Sequence, residues 1–152
     1  MHSTAARLKD RLAERGLEID VHTLSDSTRT ADEAAAAVGV EVGQIVKSLV
    51  FRRDDTPVMV LCAGDRRVDA KRLGLRSANA EQARAATGFA IGGIPPLGHT
   101  TELETLVDAS LRRFEIVWCA AGTPHDVFPV AVETLISAVG NGSVVDVAAD
   151  GR

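Results

Sequence analysis

The chain has 152 residues, 45% of them apolar and 25% charged, and a formal net charge of −4. Residues 1–152 suit one domain, and a chain of this size buries roughly 70% of its unfolded surface without metal or disulfide staples. The acidic balance excludes a protein that coats nucleic acid over its whole surface, though not one with a local basic patch.

The first stretch, "MHSTAARLKDRLAERG", carries charges inside its apolar pattern, so it is not read as a signal peptide. It predicts an amphipathic helix with Ala5, Leu8 and Leu12 on one face, Ser3 or Thr4 as cap and Gly16 as stop. "LEIDVHTL" alternates and suits a strand, and "TADEAAAAVGV" predicts a second helix. Thr30 and Glu33 have capping-box spacing there, and Gly39 is the stop. "QIVKSLVFRR" and "PVMVLCAG" read as a hairpin joined through "DDT". "VDAKRLGL" and "NAEQARAATG" predict two short helices, ended at Gly74 and Gly88. A strand–helix mixture follows the Gly- and Pro-rich stretch at 88–99, with a buried strand at Ile116 to Ala120. The last helix carries the stripe Val132, Leu135, Ile136 and Val139, stops at Gly140-Asn141-Gly142, and leads to a short strand in "SVVDVAAD". This order predicts a mixed α/β fold built on a sheet.

No apolar run is long enough to span a membrane. Cys62 and Cys119 both sit in apolar runs, as buried free thiols do in a reducing compartment, so the cytoplasm is the expected location. The histidines at 2, 22, 99 and 125 are far apart and no Cys-x-x-Cys occurs, so neither a metal nor another cofactor is expected.

Two features ask for more than a structural explanation. Lys47 interrupts the most strand-like run of the chain. It is either an edge-strand lysine reaching water or a partly desolvated ammonium at the floor of a pocket, set to hold an anionic or carbonyl-bearing ligand. "GFAIGGIPPLGH" places four glycines and two prolines in twelve residues. It is either a close backbone crossing or a set of bare N–H groups able to stabilise an oxyanion. Pro95 and Pro96 cannot donate, so the donors are Gly92, Gly93 and Ile94.

Three segments in order, "RTADEAAAAVGVEVGQIVKSLVF", "GFAIGGIPPLGH" and "VWCAAGTPHDVF", resemble the YbaK/EbsC family over residues 20 to 150. That family includes free-standing aminoacyl-tRNA deacylases and the editing insertion domain of bacterial prolyl-tRNA synthetases. The resemblance implies a curved, largely antiparallel sheet flanked by helices. It also implies hydrolysis of the ester joining a wrong, small amino acid such as Ala or Cys to the 3′ end of a tRNA, commonly tRNA-Pro. The family lysine falls on Lys47, its Gly-Gly-Ile loop on Gly92, Gly93 and Ile94, and its late glycine loop on Gly122 to His125. Two departures stand out. "FPVAVETL" lacks a capping residue for the last helix, and Ser48 stands where some members carry Thr or Asn, a change expected to bear on which amino acid is accepted. A chain of 152 residues has no room for the synthetase's other domains, so a free-standing form is expected.

On this reading Lys47 holds the substrate through a phosphate or the aminoacyl carbonyl, and the Gly92–Ile94 amides bind the oxyanion. Lys47 and Ser48 alternate on a strand and point to opposite faces, which argues against a Ser–Lys dyad. The attacking group is water, a ribose hydroxyl that orders it, or a substrate thiol. His125 is the candidate base or hydrogen-bond partner, with pocket shaping as its alternative role, and His99 is read as a loop anchor. Leu24, Thr30, Val46, Ser48, Ile94 and Gly122 are the candidate lining residues. Arg52, Arg53, Arg66, Arg67, Lys71, Arg72 and Arg76 supply basic groups for tRNA. Prolyl-tRNA synthetase is a candidate partner, and β-rich domains of this size often pair, which makes a homodimer a candidate assembly. A non-catalytic module that binds aminoacyl-tRNA or a nucleotide is the alternative function.

Overall fold

A computed structural model describes residues 1–26, 28, 30–139 and 142–148. Its elements run α1 (Ser3–Glu14), β1 (His22–Thr23), α2 (Ala31–Val38), β2 (Val46–Arg53), β3 (Thr56–Ala63), β4 (Arg76–Ser77), α3 (Ala80–Thr87), β5 (Glu104–Asp108), β6 (Ile116–Thr123), β7 (Asp126–Ala131), α4 (Val132–Ala138) and β8 (Gly142–Val145). The class is mixed α/β, as the sequence predicts. The strands form a five-stranded sheet in the order β4-β2-β3-β5-β8 and a three-stranded one in the order β1-β7-β6. Pairings β3–β5 and β5–β8 are parallel and the rest antiparallel. A parallel bridge from Ile45 to Trp118 brings the two sheets together at the start of β2.

β3 is the centre of the larger sheet. Val58 to Ala63 are fully buried, as expected of a near-continuous apolar run covered on both faces. Its alternation divides the core. Met59, Leu61 and Ala63 join Val46 and Val50 of β2, Leu8 and Leu12 of α1, Cys119 and Phe128 in the main cluster. Val58, Val60 and Cys62 turn to a smaller cluster with Leu106 and Val147, against which Leu49 and Phe51 pack.

The α2 capping box forms as expected, with Thr30 and Glu33 exchanging 3.1 Å bonds, and Gly39 closes the helix with φ of 76°. α3 is capped in the same way by Asn79 and Gln82. The β2–β3 hairpin turns at Asp54 and Asp55, with Asp54 at φ of 54°, a conformation that Asp tolerates better than most residues.

Three local expectations change. Neither Ser3 nor Thr4 caps α1. His2 takes the N-cap position, and its ring bonds Asp126 rather than a helix amide. "LEIDVHTL" pairs only at His22 and Thr23, opposite Val127 and Asp126. "VDAKRLGL" is a compact turn, not a helix. Its bonds run Leu73 to Asp69, Gly74 to Lys71 and Leu75 to Ala70, so no helical register repeats before Gly74 reverses the chain at φ of 71°. α4 starts without a side-chain cap, as its sequence predicts. The stop expected at Gly140-Asn141 lies outside the described residues.

Candidate active site

A cleft of about 580 Å³ opens between α2, the N-terminal part of β2, β6 and the glycine loop. Its position follows from strand pairing. β4 pairs with β2 only at Phe51 and Arg52, which leaves the edge of β2 from Val46 to Val50 without a strand neighbour beyond the bridge at Ile45. Arg53 and Thr56 flank the two-residue turn, a position where the strands exchange both backbone bonds. Alternation from there turns the backbone groups of Val46, Ser48 and Val50 away from β3 and toward the open edge. The amide of Ala63, opposite Val46, likewise turns away from β2, bonding the Asp108 carboxylate at 3.1 Å.

Of the residues expected at the site, Lys47, Gly92, Ile94, Thr30, Val46 and Ser48 line this cleft. Leu24, Gly93, Gly122 and His125 do not. Leu24 and His125 are joined by a backbone bond of 2.7 Å beside the β6–β7 turn, and the His125 ring packs on His2, with centroids 5.2 Å apart. Gly93 and Gly122 form the support behind the cleft. A Cβ on Gly93 would stand 2.7 Å from Thr123 Cα and 2.8 Å from the Gly122 carbonyl oxygen, so the loop packs backbone on backbone.

The glycine loop separates its amides into two kinds. The Gly93 N–H donates to the Ala90 carbonyl at 3.1 Å and closes a turn, so the expectation that it faces a substrate does not hold. The amides of Gly92 and Ile94 have no acceptor among the described residues, nor do those of Ala90, Ile91, Leu97, Gly98 and His99; of these residues Ile91, Gly92 and Ile94 line the cleft. Gly92 holds φ of 100°, a conformation that glycine adopts freely. The rest of the loop is tied down. His99 Nε2 bonds the Pro95 carbonyl at 2.7 Å, and Arg11 of α1 donates to the Gly98 carbonyl. Burial, aided by Arg15 and Arg11, holds the His99 pKa below its usual value, so the neutral ring donates from Nε2. His99 is the anchor that the sequence suggests.

Lys47 is placed differently from the expectation of an amine facing that loop. Its cross-strand partner is Cys62, so its side chain leaves β2 on the face of Cys62 and Leu49, whereas Val46 and Val50 pack with Ile94 on the other. The half-buried amine donates to the Arg66 carbonyl. Strand alternation puts Ser48 on the Ile94 side, and its Oγ is buried with no hydrogen-bond partner. Burial pushes the Cys62 thiol up to about 12 and raises that of Cys119 as well, so neither is a thiolate at neutral pH.

Sequence reasoning missed Asp126. Fully buried, it accepts Thr23 Oγ1 at 2.6 Å, Thr123 Oγ1 at 2.7 Å and His2 Nδ1 at 2.7 Å. Burial opposes its charge, but these donors outweigh that and hold its carboxyl below the usual range. It fixes the turn on which Gly93 rests.

Residues 25–138 match the aminoacyl-tRNA editing domain family. The chain belongs to that family. The activity expected from the sequence, aminoacyl-tRNA deacylation, is the one the family carries. Among its relatives is the YwhH protein of Bacillus subtilis, which has no assigned activity; it is 31% identical over 125 residues, 78% of this chain and 80% of that one. The EbsC protein of Enterococcus faecalis, to which deacylation of Cys-tRNA(Pro) and Cys-tRNA(Cys) is ascribed, is 26% identical over 74% of each chain. The proline–tRNA ligase of Lactobacillus gasseri is 36% identical over 55% of this chain, which spans only 16% of the ligase. A solved structure described as a trans-editing enzyme for prolyl tRNA synthetase superposes with a TM-score of 0.91 at 43% identity, covering 98% of this chain and 99% of that one. Among the described residues, no helix is long and apolar enough to cross a membrane.

Proposed function

We propose that this chain clears a small, wrongly attached amino acid from tRNA-Pro, acting in trans on the ester at the 3′-terminal adenosine. The observation that carries this reading is the pair of acceptorless amides, Gly92 and Ile94, on a cleft that also holds Lys47 and the unpartnered Ser48 hydroxyl. Water adds to the ester carbonyl and the two amides bind the oxyanion that develops. The C–O bond then breaks, and the ribose oxygen leaves with a proton derived from that water. An oxyanion donor is worth about 3 kcal/mol of barrier.

Lys47 holds the terminal phosphate rather than the aminoacyl carbonyl, because its amine lies on the opposite face of β2 from Ile94. A phosphate oxygen replaces the neutral Arg66 carbonyl as acceptor, giving a charge-assisted bond. Ser48 contacts the aminoacyl group, and Thr30 and Val46 shape the wall. Proton transfer is not assigned to His125, whose ring packs on His2 outside the cleft. Similarity to EbsC and to part of a proline–tRNA ligase supports tRNA-Pro as the carrier and prolyl-tRNA synthetase as a partner in handing it over.

The test is a deacylation panel on tRNA-Pro charged with Ala, Cys, Ser and Pro. Release above the buffer rate for a small non-cognate amino acid, lost in Lys47→Ala, is the expected result. Binding of tRNA with no release from any of the four identifies a non-catalytic module instead.

A further inference from the structure

Seven basic residues were candidates for holding tRNA, and the fold sorts them. Arg53 pairs with Glu104 at 2.5 Å, Arg66 with Asp146 at 3.3 Å and Arg72 with Asp69 at 3.6 Å. Arg67 and Lys71 are exposed residues of the segment after β3, which bridges to Ala148 through Val68, and neither faces a second cation across a strand ladder. Arg52 and Arg76 remain. They are directly opposed across the β2–β4 ladder, and among the described residues neither has a carboxylate partner. Arg52 bonds only carbonyls, those of Ser77 and Asp54, each at 3.1 Å. Arg76 is exposed.

Like charges facing each other on one ladder destabilise a sheet. Here the pair sits where the open edge of β2 ends: Phe51, beside Arg52, and Ala78, two residues after Arg76, both line the cleft. Arg52 continues the Ser48–Val50 face, roughly 17 Å along the strand from Lys47. We propose that Arg52 and Arg76 form a phosphate clamp at the mouth of the cleft, gripping the single-stranded 3′ end of the tRNA one or more nucleotides before the terminal adenosine. The proposal rests on the deacylase reading above and names the surface by which that substrate is held. A phosphodiester fits because it is a compact anion that relieves the repulsion between the two guanidiniums and accepts bidentate bonds.

The experiment compares two substrates, charged tRNA and a 3′-aminoacyl-adenosine that lacks the preceding phosphates. Arg76→Glu is expected to raise KM several-fold on charged tRNA with kcat kept, and to leave the short substrate unaffected. Arg52→Lys, which keeps the charge but neither the bidentate geometry nor the carbonyl bridges, is expected to raise KM on charged tRNA less than Arg76→Glu does and to leave the short substrate unaffected. The log–log salt slope of binding to uncharged tRNA should fall by roughly 0.7 in Arg76→Ala, one single-strand phosphate contact. Arg112→Ala, which removes an arginine paired with Glu133, should leave that slope unchanged. Equal losses on both substrates, an unchanged slope in Arg76→Ala, or the same loss in Arg112→Ala would overturn the clamp. Were the wild type to hydrolyse neither substrate, the deacylase reading would fail, while the salt slope would still decide the clamp.

Discussion

The glycine loop at 88–99 and the β6–β7 turn at 122–126 touch backbone to backbone, yet they treat their polar groups in opposite ways. In the turn the side chains of Thr123 and Asp126 are fully engaged. Asp126 takes three side-chain donors, and Thr123 Oγ1 accepts the amides of His125 and Asp126, each at 3.1 Å. In the loop the amides of Gly92 and Ile94, like those of Ala90 and Ile91 before them, have no acceptor among the described residues, while Gly93 between them is bonded and packed. A saturated turn serves as a rigid platform. A loop resting on it keeps unpaired donors at a fixed place, the preorganisation that lets a donor act on a developing charge without rearrangement.

Gly93→Ala attacks the contact between the two regions, and the largest effect is expected there. The new methyl meets backbone atoms at 2.7 and 2.8 Å that cannot rotate away. The loop must shift, with a loss of kcat on the order of 100-fold or more and of stability by about 1–3 kcal/mol. Single-turnover deacylation and thermal melting measure the two effects.

Asp126→Asn tests the platform from its other side. The variant should lose about 2–3 kcal/mol in denaturant titration, because bonds to a buried carboxylate are weakened and one donor loses its acceptor. The wild-type group also gives a pH signature. Its folded pKa lies below the ordinary carboxylate value of about 3.9. Its contribution is therefore fully present above that value and is lost as pH falls through the folded pKa. The acid limb of the stability profile should be shallower in Asp126→Asn.

Much of the platform–loop pair can be read from the residues themselves. Thr30 with Glu33, Gly39 and Gly88 mark helix ends because capping is local chemistry, and the β2–β3 hairpin follows from two β-rich runs around a short polar turn. The unusual loop is equally visible as composition. What sequence does not carry is the long-range pairing. Asp126 looks like any turn aspartate until His2 and Thr23, more than one hundred residues away in the chain, arrive at its oxygens. Alternation places Lys47 and Ser48 on opposite faces, but which face meets the glycine loop depends on how the two sheets join at Ile45 and Trp118. Turn bonds within the loop, such as Gly93 to Ala90, decide which amides stay open, and glycine count alone is silent on that.

Ser48→Ala probes the cleft floor that the loop faces. Removing a buried hydroxyl with no partner should leave stability unchanged or raise it by up to about 1 kcal/mol. Deacylation should slow with no fall in melting temperature. At the small end stands Arg112→Ala. Its pair with Glu133 is well formed at 3.0 Å but exposed, and its loss should change stability by no more than about 0.5 kcal/mol, with deacylation unaltered.

The most direct test follows backbone amide resonances of the 15N-labelled protein during titration with a non-hydrolysable 3′-aminoacyl-adenosine analogue. The Gly92 and Ile94 amides should shift strongly as they gain an acceptor, while the Gly93 amide, already bonded to Ala90, stays nearly fixed. Saturable binding that leaves Gly92 and Ile94 unmoved would contradict an oxyanion site built from them.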